Sequence, residues 1–235
     1  PDEMMATVAA RELVDGEVVF VGIGLPNLAC NLARRTHAPN LVLIYESGAV
    51  GATPTRLPVS IGDPALVTGS LMVCGMADVF QLFLQNGRIE VGFLGGAQVD
   101  RYANINTTVI GAYDRPKVRL PGSGGAAEIA IHAQRILVIA KLSPRAFPER
   151  VDFRTSPGQR VAKVITDKGV LVRDAESGEL LLTALYPGIE VTDVQAAVGW
   201  KLRSSSRVER LEPPTSVELQ LLREVLDPQR LYLTS

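Results

Sequence analysis

Histidine and cysteine are scarce, with two of each in 235 residues. His37 and His132 are isolated, so neither a histidine-based metal cluster nor a Ser-His-Asp triad is expected. Cys30 and Cys74 lie in apolar surroundings at unrelated spacing. That pattern predicts small buried hydrophobes in a reducing cytoplasm, with no disulfide and no metal site. No apolar run is long enough to span a bilayer. The opening "PDEMMATVAA" is acidic and lacks the basic stretch of a signal peptide. A charge excess is absent too: the net charge of −1 leaves no electrostatic footprint for nucleic acid. Apolar residues make up 46% of the chain and charged ones 21%, enough to build a sizeable core.

Strand-like and helix-like patterns alternate along the chain. Met4 to Val14 has helical apolar spacing and stops at Asp15-Gly16. "EVVFVGIG" is a short β-branched run ending in glycines. "PNLACNLARRTH" is a helix with Pro26 near its start and arginines in its last turn, and "LVLIY" is a second strand. Together they predict a parallel βαβ unit with a right-handed crossover. Glu46 to Pro64 is rich in glycine and proline and is expected to be a long loop. "MADVFQLFLQNG" is an amphipathic helix, "IEVGFLGG" a third strand, and "VRLPGSGGAAEIAIHAQ" a glycine-rich loop entering a helix before the strand "RILVIAKL". "RVAKVITDKGVLVRD" has the pattern of a hairpin. "TDVQAAVGW" predicts a short helix capped by Thr192, and "PTSVELQLLREVLDP" a C-terminal one. The predicted class is α/β, an open and mainly parallel sheet flanked by helices, as one domain over residues 1–235.

Three stretches carry candidate chemistry. "GIGLPN" begins like a dinucleotide fingerprint, but Asn27 occupies the third glycine position and Pro26 interrupts it. Gly24 therefore belongs either to a tight turn or to backbone lying close to a ligand. "PGSGGA" places Gly122, Ser123, Gly124, Gly125 and Ala126 at a helix start. Its bare N–H groups suit a phosphate or an oxyanion, and no Walker lysine is present. Glu46 follows an apolar strand and precedes Ser47 and Gly48. Either it is a surface or arginine-paired carboxylate, or it is a nucleophile at the carboxyl end of a strand. Asp100, Asn104 and Asn106 in "QVDRYANIN" (Gln98 to Asn106) are suited mainly to turn-forming hydrogen bonds, with some share in a site.

The phrases "GIGLPNLACNLARR", "LIYESGAVGA", "LGGAQVD", "PGSGGA", "VITDKGVL" and "YPGIEVTDVQAAVGW", in this order from about Val18 to about Trp200, resemble the β (B) subunits of class I coenzyme A transferases. "YESG" is closer to the glutaconate type than to the "SENG"-like phrase of the succinyl-CoA:3-oxoacid type. One departure is Ala103, where the family often has glycine. The resemblance implies the fold shared with ribose-5-phosphate isomerase-like proteins and a single β-subunit domain. It implies Glu46 as the nucleophile, with the Gly122–Ala126 loop binding the oxyanion or CoA and Gly24, Ser47, Gly48 and Gln98 near the site. It also implies a homologous α subunit in an α2β2 heterotetramer. CoA and a small carboxylic acid are substrates, and no cofactor is required. Two other readings remain open on the same residues: an acyl-CoA hydrolase, decarboxylase or ring-opening enzyme using Glu46 as a base, and a non-catalytic sugar-phosphate sensor.

Overall fold

The computed structural model describes residues 1–233, which divide into two compact units. The first comprises Pro1–Phe93, His132–Gln134 and Pro214–Ser235. Its elements in chain order are α1 (Asp2–Arg11), β1 (Val18–Phe20), α2 (Leu25–Arg35), β2 (Val42–Ile44), β3 (Ala49–Val50), β4 (Met72–Val73), the single turn α3 (Met76–Asp78) and β5 (Val91–Leu94). The strands run in the order β5-β1-β2-β3-β4. β1 pairs in parallel with both β2 and β5, as the βαβ pattern requires, whereas β3 and β4 are antiparallel additions. Leu28, Leu32, Leu43, Ile44 and Val91 are wholly buried and form the centre of this unit's core.

Several boundaries differ from expectation. α1 begins two residues earlier and ends at Arg11, where Leu13 N–H donates back to Ala10 O. The stretch expected as one long loop after Glu46 starts instead with β3, because the chain reverses tightly there and Val50 pairs with Ile44. The helix after α3 widens over Val79–Leu84, with N–H groups of Gln85 and Arg88 donating five residues back to Phe80 and Phe83. The C-terminal helix (Ser216–Gln220) is closed by Thr215 and Glu218. Thr215 N–H donates to the Glu218 carboxylate, and Glu218 N–H donates to the Thr215 hydroxyl. An Arg11–Glu218 ion pair ties this helix to α1, and an Arg223–Glu3 pair does the same for its wider continuation, Leu221–Leu226.

Asp63 organises the segment between β3 and β4. Its carboxylate accepts both Arg56 guanidinium nitrogens, at 2.7 and 2.9 Å, and the N–H groups of Val59 and Ala65. The Arg56 hydrogen bonds, then the two backbone donors, hold its carboxyl well below the usual carboxylate range. A depressed carboxyl stabilises the fold above its unfolded pKa, about 3.9, and that contribution is lost as pH falls towards the folded value. Urea midpoints measured from pH 6 downwards should therefore drop below about pH 4. Asp63→Asn should flatten part of that drop. Parallel pH curves for the two proteins would show that Asp63 is not the responsible group.

The second unit comprises Leu94–Ile131 and Arg135–Pro213. It contains the hairpins β6 (Gln98–Val99) with β7 (Ile105–Asn106) and β8 (Val109–Gly111) with β9 (Pro116–Arg119), then α4 (Ala126–His132). Next come β10 (Arg135–Ile139), β11 (Val161–Ile165), β12 (Gly169–Arg173), β13 (Leu180–Leu185), α5 (Val191–Gln195) and β14 (Arg203–Arg210). β10 and β11 are parallel, β11–β12–β13 form an antiparallel meander as the hairpin pattern requires, and β14 adds in parallel to β13. α5 starts one residue before the expected cap Thr192. Its end is closed instead by Glu190 N–H donating to the Asp193 carboxylate at 2.8 Å. The α/β class read from the sequence, with parallel strands and flanking helices, is the one observed.

Candidate active site

In the first unit, Glu46 and Ser47 are the central residues of the turn joining β2 to β3. Gly48 N–H donates to Tyr45 O at 2.9 Å, and Tyr45 N–H donates to Ala49 O at 3.0 Å. The strand holding this turn is buried, whereas Glu46 is half-buried and Ser47 exposed. The Glu46 carboxylate makes no hydrogen bond or ion pair with the described residues, so it is neither a cap nor half of a salt bridge. Gly24 sits at the start of α2 with φ 100°, and a Cβ there would meet only the Pro26 ring at 4.0 Å.

Gly48 is bare for a different reason. A Cβ on it would lie 1.9 Å from the carbonyl oxygen of Cys74. Cys74 N–H donates to Gly48 O at 3.0 Å, and the Cys74 thiol lies 3.5 Å from the same oxygen. Gly51 likewise faces the Leu71 side chain at 2.7 Å. The missing side chains at Gly48 and Gly51 thus accommodate Cys74 and Leu71, the residues on either side of β4. Cys74, expected to be buried, is only half-buried there, because β4 is an edge strand with both residues exposed.

In the second unit, Gly122, Ser123 and Ala126 of the glycine loop line an open cavity of about 320 Å³ with Gly95, Gly96, Ala97, Thr107, Leu120 and Pro121. Thr107 fixes the loop's first residue from both sides: Gly122 N–H donates to Thr107 O at 2.8 Å, and the Thr107 hydroxyl donates to Gly122 O at 2.7 Å. Ala126 N–H donates to Ser123 O. Of the five loop N–H groups, those of Ser123, Gly124 and Gly125 make no hydrogen bond with the described residues. Gly122 (φ 100°) and Gly124 (φ 48°) adopt left-handed conformations with nothing within 4 Å of an added Cβ. Here the glycines face open space, as close approach of a ligand requires.

Gln98 does not line this cavity. It is buried, and its amide is committed to Asn106 at 2.7 Å and to Asp152. Asp100 accepts N–H groups of Tyr102 and Asn104, the expected turn role. Ala103 occupies the left-handed region (φ 62°) within that turn, which accounts for the glycine often found there in the resembled family. Thr107 does not stand out in the sequence, whereas the Gly95-Gly96 pair is visible as the close of "IEVGFLGG".

A carboxylate on a tight turn has the chemistry of a nucleophile, and a loop of N–H groups without hydrogen bonds among the described residues has that of an anion binder. The coenzyme A transferase family model matches residues 2–197, and the chain belongs to that family. It is 48% identical to the B subunit of 3-oxoadipate CoA-transferase from Pseudomonas knackmussii, over 94% of this chain and 91% of the relative. It is 34% identical to the B subunit of glutaconate CoA-transferase from Acidaminococcus fermentans, over 98% and 94% respectively. Among solved structures, glutaconate coenzyme A-transferase from A. fermentans matches with a TM-score of 0.93 at 31% identity, covering 100% of this chain and 97% of that one. The decarboxylase AibA/AibB matches with a TM-score of 0.89 at 26% identity, covering 99% and 96%. The chain is thus a B-type subunit of the CoA-transferase family.

Proposed function

We propose that this subunit, with a homologous α subunit in an α2β2 assembly, moves CoA between an acyl-CoA and a dicarboxylic acid, using Glu46 as nucleophile. The observation that carries the reading is the Glu46 carboxylate itself, held on a braced turn and without a hydrogen-bond or ion-pair partner among the described residues. Glu46 attacks the thioester carbonyl. The tetrahedral oxyanion collapses with loss of CoA thiolate, leaving an acyl–glutamyl anhydride. The thiolate then attacks the glutamyl carbonyl, releasing the first acid and leaving a glutamyl-CoA thioester. The acceptor carboxylate attacks that thioester, and the same two steps in reverse give the new acyl-CoA and restore Glu46. In this reading the N–H groups of Ser123, Gly124 and Gly125 serve the oxyanion or the CoA chain, where one donor is worth about 3–4 kcal/mol. CoA is a substrate, and no resident cofactor takes part.

The names of the relatives, which act on 3-oxoadipate and glutaconate, support a dicarboxylate. A partner subunit is supported by the surface. Of sixteen large exposed hydrophobic residues among those described, eight lie between Val59 and Leu82, including Leu71, Met72 and Val73 on and beside edge strand β4. By contrast, edge strand β14 reads Arg-Ser-Ser-Ser-Arg-Val-Glu-Arg, the charged pattern that discourages pairing. An apolar, exposed edge of this kind marks an interaction surface, and the α subunit is its proposed occupant.

The decarboxylase AibA/AibB supports a second reading, in which the same scaffold carries Glu46 chemistry other than transfer. An acyl-CoA and acceptor-acid panel on the co-expressed two-subunit enzyme separates them. Transfer gives a new acyl-CoA in proportion to the acceptor, with ping-pong kinetics. Free CoA or carbon dioxide formed without an acceptor would overturn the transferase assignment.

A further inference from the structure

We propose that Tyr45, Asn27 and Asn31 form a buried positioning network for Glu46, aiming its carboxylate through the residue that precedes it. The proposal rests on Glu46 being the nucleophile. The Tyr45 hydroxyl donates to Asn27 Oδ1 at 2.9 Å. Asn31 Nδ2 donates to the same oxygen at 2.7 Å and to the Asn27 carbonyl at 2.9 Å. Tyr45 is 1% exposed, Asn27 0% and Asn31 9%.

Two features separate this cluster from ordinary core packing. First, it is polar where an aliphatic set would serve, and it leaves Asn27 Nδ2 buried without a hydrogen-bond partner among the described residues. An unsatisfied donor lowers stability. Polar networks of this kind fix one geometry where apolar packing tolerates several. Second, it lies where strand β1 stops supporting the turn. The β1–β2 ladder ends at Ile44, whose carbonyl accepts Val21 N–H. Beyond it, Tyr45 holds the turn through its own N–H and C=O, and its hydroxyl ties that turn to the first turns of α2. Burial pushes the Tyr45 hydroxyl up, keeping it a donor throughout the working pH range. Losing that tie frees the ring to shift and the turn with it. A displacement of the reacting group by about 1 Å costs about 10²-fold in rate.

The experiment uses the assembled two-subunit enzyme with Tyr45→Phe, which keeps the ring and removes the bond. Three quantities are read: melting temperature, kcat and KM separately, and the single-turnover rate at which acyl-CoA places CoA on Glu46. The expected result is an intact assembly, KM within about twofold, and a fall of about 10- to 100-fold in kcat and in the trapping rate together. A lowered melting temperature with unchanged kcat would make the network purely structural and overturn the proposal. If Tyr45→Phe does not assemble, Asn31→Ala at the network's margin carries the test, with the same split expected and an unchanged kcat overturning it. Failure of the underlying reading looks different: the wild-type enzyme would then turn over without any CoA adduct on Glu46.

Discussion

Glu46→Gln is expected to lower CoA transfer by about 10⁴-fold or more while leaving the melting temperature and subunit assembly unchanged. The two halves of that result have separate causes. The amide is isosteric but cannot attack a thioester, so the covalent route closes. Stability is spared because the Glu46 carboxylate makes no hydrogen bond or ion pair with the described residues, and substitutions at such positions usually fall within about 0.5 kcal/mol. Mass analysis of the peptide spanning Glu46, after acyl-CoA and borohydride treatment, gives the complementary measurement. The wild-type peptide should be modified and the variant's should not. Turnover retained in Glu46→Gln would sink the nucleophile assignment.

Two positions down the chain the effects reverse. Gly48→Ala should destabilise the protein by at least about 3 kcal/mol, because its new Cβ would fall 1.9 Å from a backbone oxygen at Cys74. That oxygen belongs to backbone hydrogen-bonded to Gly48, just after β4, and cannot rotate away as a side chain can. The φ of 109° adds backbone strain for any L residue. Gly124→Ala is the control. It meets open space at φ 48°, so its cost is the left-handed conformation alone, about 1–2 kcal/mol. Its activity should nevertheless fall, since the methyl group enters the face proposed for the oxyanion or CoA. Urea unfolding of the two variants beside their exchange rates separates the roles. Equal stability losses would mean that the two glycines serve the same purpose, contrary to the geometry.

The βαβ start, the buried strands and both glycine-bearing turns are legible in the sequence, because apolar periodicity and glycine position are local signals. What lies behind each glycine is not. Gly48 and Gly124 look alike in a string of letters, yet one abuts Cys74, 26 residues away, and the other faces open space. Such contacts depend on strand order, which periodicity does not encode. β3 escapes the sequence pattern for the same reason: two residues, Ala49 and Val50, become a strand only because β2 and β4 lie on either side. Asn27 shows the reverse problem. As a broken fingerprint it is evidence against a nucleotide fold. In the folded chain it is wholly buried and accepts the Tyr45 hydroxyl. Gln98 is visible as a polar residue after a strand, but its commitment to Asn106 and Asp152 needs two distant segments to meet.

The contact between Gly48 and Cys74 also bears on how such a subunit can change over generations. Clamped from β4 at Gly48 and from α2 at Tyr45, the turn keeps its shape whatever side chain occupies position 46, since that side chain takes no part in holding it. The fold therefore constrains position 48 and not position 46, where the proposed chemistry alone selects the residue. A single codon change can exchange the reactive group without a compensating change elsewhere. Selection for a new reaction would start from an already folded ancestor.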